Sequence, residues 1–485
     1  MVLFKLLERS LGMVSMLILA RLLVPADFGL MAMATSLVAL LELFTAFGVD
    51  TALVQRSDAT PAHFNSAWTL NVCAGGAIAT MMLLLSWPAA YFYREPRVTP
   101  VICALALAAA IQGFENIGVV MFRKDMRFDR EFRFLLGKKL VAFSVTVPLA
   151  LLWRNYWALV VGTIMGRLAG VSLSYILQSF RPRFSFAATA DLMHVSKWLM
   201  VQNVLAFLKE RSSDLLIGRF AGPHSLGVFS VSAEISNMPG TELVAPINRA
   251  VLPGYVKLAH DPPALRREYL SVMAMISLFA VPAVAGFAAC APFLVLLILG
   301  PKWIEAASLI KILAFFGITQ VLQSNAYSAF LAIGRPQVFA KINAIHVAIL
   351  LALLLALVPS FGVRGAAWAY VATAALVLPV NFYFITRFLG LPKMQLVAHL
   401  WRPIAATTLM YLGVRFFGPA LPDAALTAKQ ASASLITCIA IGVPLYALSI
   451  AVLWWLSGRP QESAESFVLE KVPQFWNGMR ARAGI

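Results

Sequence analysis

The feature that most constrains this chain is the recurrence of apolar runs of about twenty residues, separated by short polar loops. Coiled as an α-helix, such a run matches the hydrocarbon thickness of a bilayer. In lipid every backbone N–H and C=O must be satisfied inside the chain, so only helices and closed barrels can span. These runs are too long for barrel strands, and the chain is predicted to be an all-α polytopic membrane protein with about 14 transmembrane helices. The predicted spans are 2–24, 28–48, 67–91, 99–121, 136–153, 157–180, 196–220, 224–252, 268–299, 304–333, 337–358, 362–388, 400–418 and 433–456. Lys5, Glu8 and Arg9 interrupt the first. No secretory cleavage signal is read there, so that stretch is expected to be retained.

Only 13% of the residues are charged and 60% are hydrophobic, whereas soluble domains carry roughly 25% charged residues. A cytosolic fold is thereby excluded. The net charge of +17 does not point to nucleic acid, because the basic residues fall mainly in short loops, as topology demands. The N-terminus, the C-terminus and alternate loops hold most of the 39 Lys and Arg, so both termini are expected to be cytoplasmic. The loop between the fourth and fifth spans contributes most, with Arg123, Lys124, Arg127, Arg130, Arg133, Lys138 and Lys139. Cys73, Cys103, Cys290 and Cys438 lie far apart in apolar spans, and no C-x-x-C occurs. Neither a disulfide framework nor a zinc site is indicated. His346, the one histidine deep in a span, reads as a packed residue. No phosphate-binding G-x-x-x-x-G-K-[ST], H-E-x-x-H or G-x-S-x-G sequence is present, so no metal, cofactor or built-in ATP motor is expected.

One motif occurs twice. Residues 20–31 and 218–229 align without gaps, matching Arg21 with Arg219, Pro25 with Pro223 and Gly29 with Gly227. Each copy joins the end of one apolar span to the start of the next. Six spans separate the copies, an even number, so both face the same way across the membrane. The expected architecture is therefore two parallel six-helix lobes, 1–180 and 196–388, joined by a cytoplasmic linker at 181–195. Two additional helices occupy 389–457, followed by a cytoplasmic tail at 458–485 with Phe467, Val468, Leu469, Phe475 and Trp476 spaced along an expected interfacial helix. Within the motif, Pro and Gly suit a tight interfacial turn, and the Arg can reach the head-group region. Its expected role is structural.

Charge inside a span is costly, about 2.5–3.5 kcal/mol per residue on insertion scales. It concentrates in the seventh and eighth spans. At about 100° per residue, Asn203, Glu210, Arg211 and Asp214 share one helix face, with Lys209 off it. Arg211 and Asp214 are spaced to pair. In the next span, Ser230, Asn237 and Asn248 form a stripe with Glu234, flanked by Glu242 and Arg249, and Pro239-Gly240 is expected to bend the helix. The repeat places Leu11, Met13 and Met16 where the second copy has Lys209, Arg211 and Asp214. The fold therefore does not itself require these charges. A self-neutralised seam between helices and a cavity for substrate or a coupling ion both fit the pattern. Gln112, Glu115 and Asn116 are further intramembrane polar residues, read as sharing a helix face, with Glu42, Arg167 and Lys311 elsewhere.

Leu19-Ala20-Arg21-Leu22-Leu23-Val24-Pro25-Ala26-Asp27-Phe28-Gly29 resembles the opening signature of the bacterial polysaccharide (Wzx-type) flippases, members of the multidrug/oligosaccharidyl-lipid/polysaccharide exporter superfamily. Ala52 to Arg56, Arg211 to Gly222, Leu226 to Phe229, Pro246-Ile247, Leu252-Pro253, Asp261-Pro262 and Tyr269 continue the resemblance across the first twelve spans. The resemblance implies two six-helix bundles around a cavity that opens alternately to each side. It implies an undecaprenyl-pyrophosphate-linked oligosaccharide as substrate, carried between leaflets of the bacterial inner membrane for exopolysaccharide, capsule or O-antigen assembly, with polymerase or export machinery as partners. Under that reading Arg211, Arg249 and Lys209 are candidates for the diphosphate, and Asn203 and Asn237 for the sugars. Asp214, Glu234, Glu242 and Glu115 are candidates for ion coupling or charge pairing. Rival readings are a cation-coupled multidrug exporter or a cell-wall-precursor flippase of the same fold, and a membrane-embedded glycan polymerase or ligase. The predicted outward loops are short for a polymerase or ligase.

Overall fold

Sixteen α-helices carry the described residues, with no strand among them. The computed structural model describes residues 2–45, 49–56, 58–192, 197–419, 427–460 and 463–467. In chain order the helices are α1 (Val2–Leu22), α2 (Pro25–Thr45), α3 (Val49–Gln55), α4 (Pro61–Tyr93), α5 (Val98–Gly113), α6 (Val120–Lys124), α7 (Phe128–Trp153) and α8 (Trp157–Leu177). Then follow α9 (Thr189–Leu192), α10 (Lys197–Leu258), α11 (Pro262–Leu294), α12 (Ile304–Gln323), α13 (Ala326–Ala332), α14 (Pro336–Leu389), α15 (Lys393–Phe417) and α16 (Ala428–Leu456).

Among the described residues, eight helical stretches are long and apolar enough to cross a membrane, and α5 with residues 117–124 adds a ninth, bent by 65°. Fourteen spans are expected from the sequence, and helices lie at each of them, but not all are counted among these nine. The two expected spans 337–358 and 362–388 fall in α14 as helical stretches on either side of a break at Gly362 (φ 57°, ψ −138°), and count once among the eight. The expected spans within α1, α10 and α15 are helical, but Ser10–Leu22 of α1 is apolar over too short a stretch, and small and polar residues lower the mean hydropathy of α10 and α15.

Two compact units emerge, residues 1–230 with 358–363, and residues 231–357 with 364–485. In the first, α4 packs on α5 and α7 on α8. The segment after α8 is extended, and its amides are satisfied by side chains of α4 instead of by a ladder. Arg183 N–H donates to Asn65 Oδ1 at 2.9 Å, Ser185 N–H to Thr69 Oγ1 at 3.0 Å and Ala188 N–H to Ser66 Oγ at 3.0 Å. Arg56 bridges Asp58 at 2.9 Å and Asp191 at 3.7 Å. The Arg56 guanidinium beside Asp58 holds that carboxyl below its usual range. The second unit is built on α11, which packs against α12, α15 and α16 around a core including Tyr255, Tyr269, Ile276, Val284, Phe330 and Ile385.

Prolines inside the helices leave carbonyls without an amide partner, and the fold supplies substitutes. Pro282 removes the donor for the Leu278 carbonyl, which instead accepts from Tyr446 Oη of α16 at 2.7 Å. Of the tail beyond residue 460, residues 463–467 are described. Residues 464–467 are helical, with Ser463, Ala464, Glu465 and Ser466 buried and Phe467 exposed. Val468, Leu469, Phe475 and Trp476 lie outside the described residues.

Candidate functional site

Asp214 is a buried charge of the first unit, 7% exposed in the first half of α10. Water is replaced there by two donors. Arg211 Nη1 lies 3.2 Å from Asp214 Oδ2, one helical turn away, and Ser36 Oγ of α2 lies 3.2 Å from the same oxygen. The Ser36 hydroxyl is shared with the Ala32 carbonyl at 2.8 Å. Asp214 thus fixes one edge of the Arg211 guanidinium, while the Arg211 side chain stays 39% exposed. A guanidinium held on one side and open on the other is suited to an anion with several oxygens. Asn203 and Lys209 are half-buried on the same stretch of α10.

Glu234, Asn237, Glu242 and Arg249 belong to the second unit. Glu234 and Arg249 are exposed, and Asn237 and Glu242 half-buried. Asn248 Nδ2 donates to the Ser324 carbonyl at 3.2 Å where α12 ends, and Asn325 Nδ2 donates to Tyr255 Oη at 2.7 Å. Pro239-Gly240 does not break α10. The one residue inside it with non-helical torsions is Gly222 (φ 78°, ψ 177°). A proline removes a single helix bond, and the flanking turns keep the helix in register here.

Gly222 lies inside the second copy of the motif, immediately before Pro223. In both copies the proline is the first residue of the following helical stretch, Pro25 in α2 and Pro223 after the break, where its missing N–H costs nothing. Asp27 caps the first copy, accepting from Val24 N–H at 3.1 Å. The motif glycines serve another purpose than a turn, since each lies a turn inside its helix. A Cβ on Gly29 would overlap the Pro223 carbonyl, and one on Gly227 would overlap the Pro25 carbonyl. The two copies pack on each other reciprocally, backbone against backbone. Arg219 lies 5.7 Å over the Phe92 ring, and Arg21 is exposed at the end of α1.

Glu115 and Asn116 do not share a helix face with Gln112, because α5 ends at Gly113. The backbone turns there, and Asn116 caps the next short turn: its Oδ1 accepts from Gly118 N–H at 2.9 Å and its Nδ2 donates to the Phe180 carbonyl at 2.7 Å. Glu115 pairs with Lys138 Nζ at 2.7 Å. Lys138, read from sequence as a loop residue, lies in α7 together with Arg130, Arg133 and Lys139, since the helix starts already at Phe128. Gly170 of α8 makes room for this pair, for a Cβ there would come within 2.7 Å of Lys138 Cε. A cavity of about 420 Å³ lies between α1, α2, α7 and α8, lined by Gly12, Ser15, Met31, Lys139, Thr146 and Thr163 among others.

Comparison with known proteins adds the decisive observation. The family model described as "Polysaccharide biosynthesis protein" matches residues 18–308, more than half of the chain. The chain belongs to this family. Among similar proteins, the lipopolysaccharide biosynthesis protein WzxC of Escherichia coli (strain K12) is 23% identical over 69% of both chains. The succinoglycan biosynthesis transport protein ExoT of Rhizobium meliloti (strain 1021) is 23% identical over 91% of this chain and 89% of its own. A solved structure titled lipid II flippase MurJ, inward closed conformation, superposes with a TM-score of 0.74 at 10% identity, covering 94% of this chain and 99% of that one. At that identity the likeness establishes the fold. This polysaccharide biosynthesis family member is thus a multi-pass membrane protein.

Several residues of this family member carry no local signal in the sequence. Ser36 is 178 positions from Asp214. Lys139, Thr146 and Thr163 meet in one cavity only because α7 packs on α8 and α1. Cys290 and Cys438, distant in sequence, share one apolar cluster with Phe293 and Val414.

Proposed function

We propose that the protein is a flippase for undecaprenyl-pyrophosphate-linked oligosaccharides, moving them from the cytoplasmic to the periplasmic leaflet of the bacterial inner membrane. The observation that carries this reading is the family match, together with similarity along nearly the whole chain to a relative named as a succinoglycan biosynthesis transport protein. The physics agrees. A diphosphate and a glycan crossing lipid unaided lose their water at several kcal/mol per unsatisfied group. A polar path with fixed guanidinium groups and amides lowers that barrier.

In this reading Arg211, braced by Asp214, and Arg249 meet the diphosphate, and Lys209 adds charge. Asn203 and Asn237 meet sugar hydroxyls. Glu234 and Glu242 balance the basic residues or bind a coupling ion, and Glu115 is committed to Lys138. The two motif copies form the pivot on which the repeats rock as access alternates. Both termini face the cytoplasm, and the delivered repeat unit passes to a polymerase and export machinery.

The test is deletion of the gene, followed by measurement of surface polysaccharide and of lipid-linked oligosaccharide in the inner membrane. Lost polymer with complete precursor retained on the cytoplasmic leaflet is the expected result. Normal polymer and precursor pools with new drug sensitivity would assign the chain to multidrug export instead. Complementation with Arg211→Glu and with Arg249→Glu then tests the site. If both restore full export, these residues do not meet the cargo.

A further inference from the structure

The recess of about 420 Å³ between α1, α2, α7 and α8 takes no part in the path assigned to the cargo. It lies wholly within the first unit, and its volume falls in the range of about 300–1,000 Å³ common for small-ligand sites. Its two ends differ in chemistry. Lys139 is the one charged residue of the lining. On α7 it directly precedes the uncharged run 140–153, so it stands at the membrane boundary of that helix. From there the lining follows α7 through Ala142 and Phe143 to Thr146, about 10 Å along the axis. Beyond Thr146 the recess is closed by apolar side chains. Leu19, Phe28 and Leu159 line it and also belong to a cluster with Leu23, Val147, Ala150 and Ala158.

The wall between the two ends has little to offer a polar ligand. Thr146 Oγ1 donates to the Ala142 carbonyl at 2.7 Å and Thr163 Oγ1 to the Leu159 carbonyl at 2.8 Å, so both hydroxyl hydrogens are spent inside their own helices. Ser15 is the remaining hydroxyl of the lining. Gly12 keeps the α1 side open, for a Cβ there would meet nothing within 4 Å. Gly12, Ser15 and Leu19 all fall in the apolar stretch Ser10–Leu22, which places the recess at hydrocarbon depth. A gap at that depth deprives its lining of dispersion partners, and a hydrocarbon chain restores them. The neighbouring Lys138 is paired with Glu115 at 2.7 Å. A single cation at the mouth matches a phosphodiester, with one negative charge, better than a diphosphate with two.

We propose that this recess binds an anionic phospholipid, with its phosphate at Lys139 and one acyl chain lying along α7 towards Leu19 and Leu159. The chain fills the gap left at Gly12 and braces α1 against α7. The site uses none of the α10 residues assigned to cargo, so it stands or falls apart from the flippase reading.

The test uses the full chain in nanodiscs of phosphatidylcholine and phosphatidylglycerol. Retained lipid is measured by native mass spectrometry, and a phosphatidylglycerol with a photoreactive acyl chain locates it. Wild type should retain phosphatidylglycerol and become labelled on peptides of α1 and α7. Lys139→Gln is expected to lower phosphatidylglycerol retention about fivefold and leave phosphatidylcholine unchanged. Gly12→Leu and Ala32→Leu fill the recess from two different helices, and both should lose the label. Gly12→Leu should melt no lower than wild type, since leucine is the better helix former. Phosphatidylglycerol should raise the melting temperature of wild type and not that of Gly12→Leu. Equal labelling of wild type and both filled variants would overturn the site. Equal retention of the two lipids by wild type would remove Lys139 as a phosphate ligand and the anionic assignment with it. Displacement of phosphatidylglycerol by an equimolar undecaprenyl-pyrophosphate lipid would make the recess part of the cargo path and overturn the phospholipid assignment.

Discussion

A carboxylate inside a membrane protein persists only where other groups replace its water, and Asp214 shows how few suffice. Its partners are Arg211, one turn away, and Ser36, brought from α2. Ser36→Ala should lower thermal stability in detergent by about 0.5–1.5 kcal/mol, the range of one net hydrogen bond. Asp214→Asn should cost about 1 kcal/mol, because Arg211 keeps access to solvent and the pair is worth no more than a surface one. Export should suffer more than stability does, since Arg211 then loses its fixed position. Equal losses in both would deny Asp214 a positioning role. The Arg211–Asp214 spacing is legible in the sequence because a helix makes it local. Ser36 is not, as no local rule connects residues from different helices. Glu115 was legible as a polar intramembrane residue and misplaced in geometry. Assigning it to a continuous helix overlooked Gly113 as a stop and Asn116 as a cap.

At the scale of elements, the repeated motif was visible in the sequence, but the reason for its glycines was not. Pro25 and Pro223 start helices, as their chemistry suggests, and Gly222 supplies the left-handed turn of the second copy. Gly29 and Gly227 are needed for the approach of two backbones, which appears only when both copies are seen together. Gly29→Ala and Gly227→Ala should each cost roughly 1–3 kcal/mol, the range for overpacking. Gly12→Ala and Gly254→Ala, where a Cβ meets nothing within 4 Å, should be neutral or stabilising by up to about 1 kcal/mol. Melting curves of the four variants check this, and a uniform response would remove the close contact as an explanation. The α11–α16 contact offers a sharper cycle. Tyr446→Phe leaves the Leu278 carbonyl without its donor and should cost about 1–3 kcal/mol. Pro282→Ala returns a backbone amide to that carbonyl, so in its presence Tyr446→Phe should cost much less.

For the whole molecule, hydropathy located the helices well because lipid leaves the backbone no alternative to them. Its signal is weaker in α10 and α15, where polar residues interrupt the apolar run, yet the helices form where expected. It was also silent on the tail, whose residues 463–467 are held by contacts with α11, α15 and α16. Orientation is the remaining property of the whole chain, and it rests on where the basic residues lie. The two hairpin ends of the first unit differ sharply. Residues 123–139 carry seven Lys and Arg, of which Arg123 and Lys124 end α6, Arg127 lies between α6 and α7, and the rest lie in α7. The turn at 94–97 carries Arg94 and Arg97, the latter tied to Glu95 at 2.8 Å. Alkaline phosphatase fused after residue 96 should therefore be active, and the same reporter fused after residue 126 or after residue 485 should be inactive. A fluorescent reporter at residue 485 should show the opposite. Activity after residue 126 would invert the first unit and with it both copies of the motif, because an even number of spans separates them. The cytoplasmic loading of cargo would then have to be redrawn from the other face.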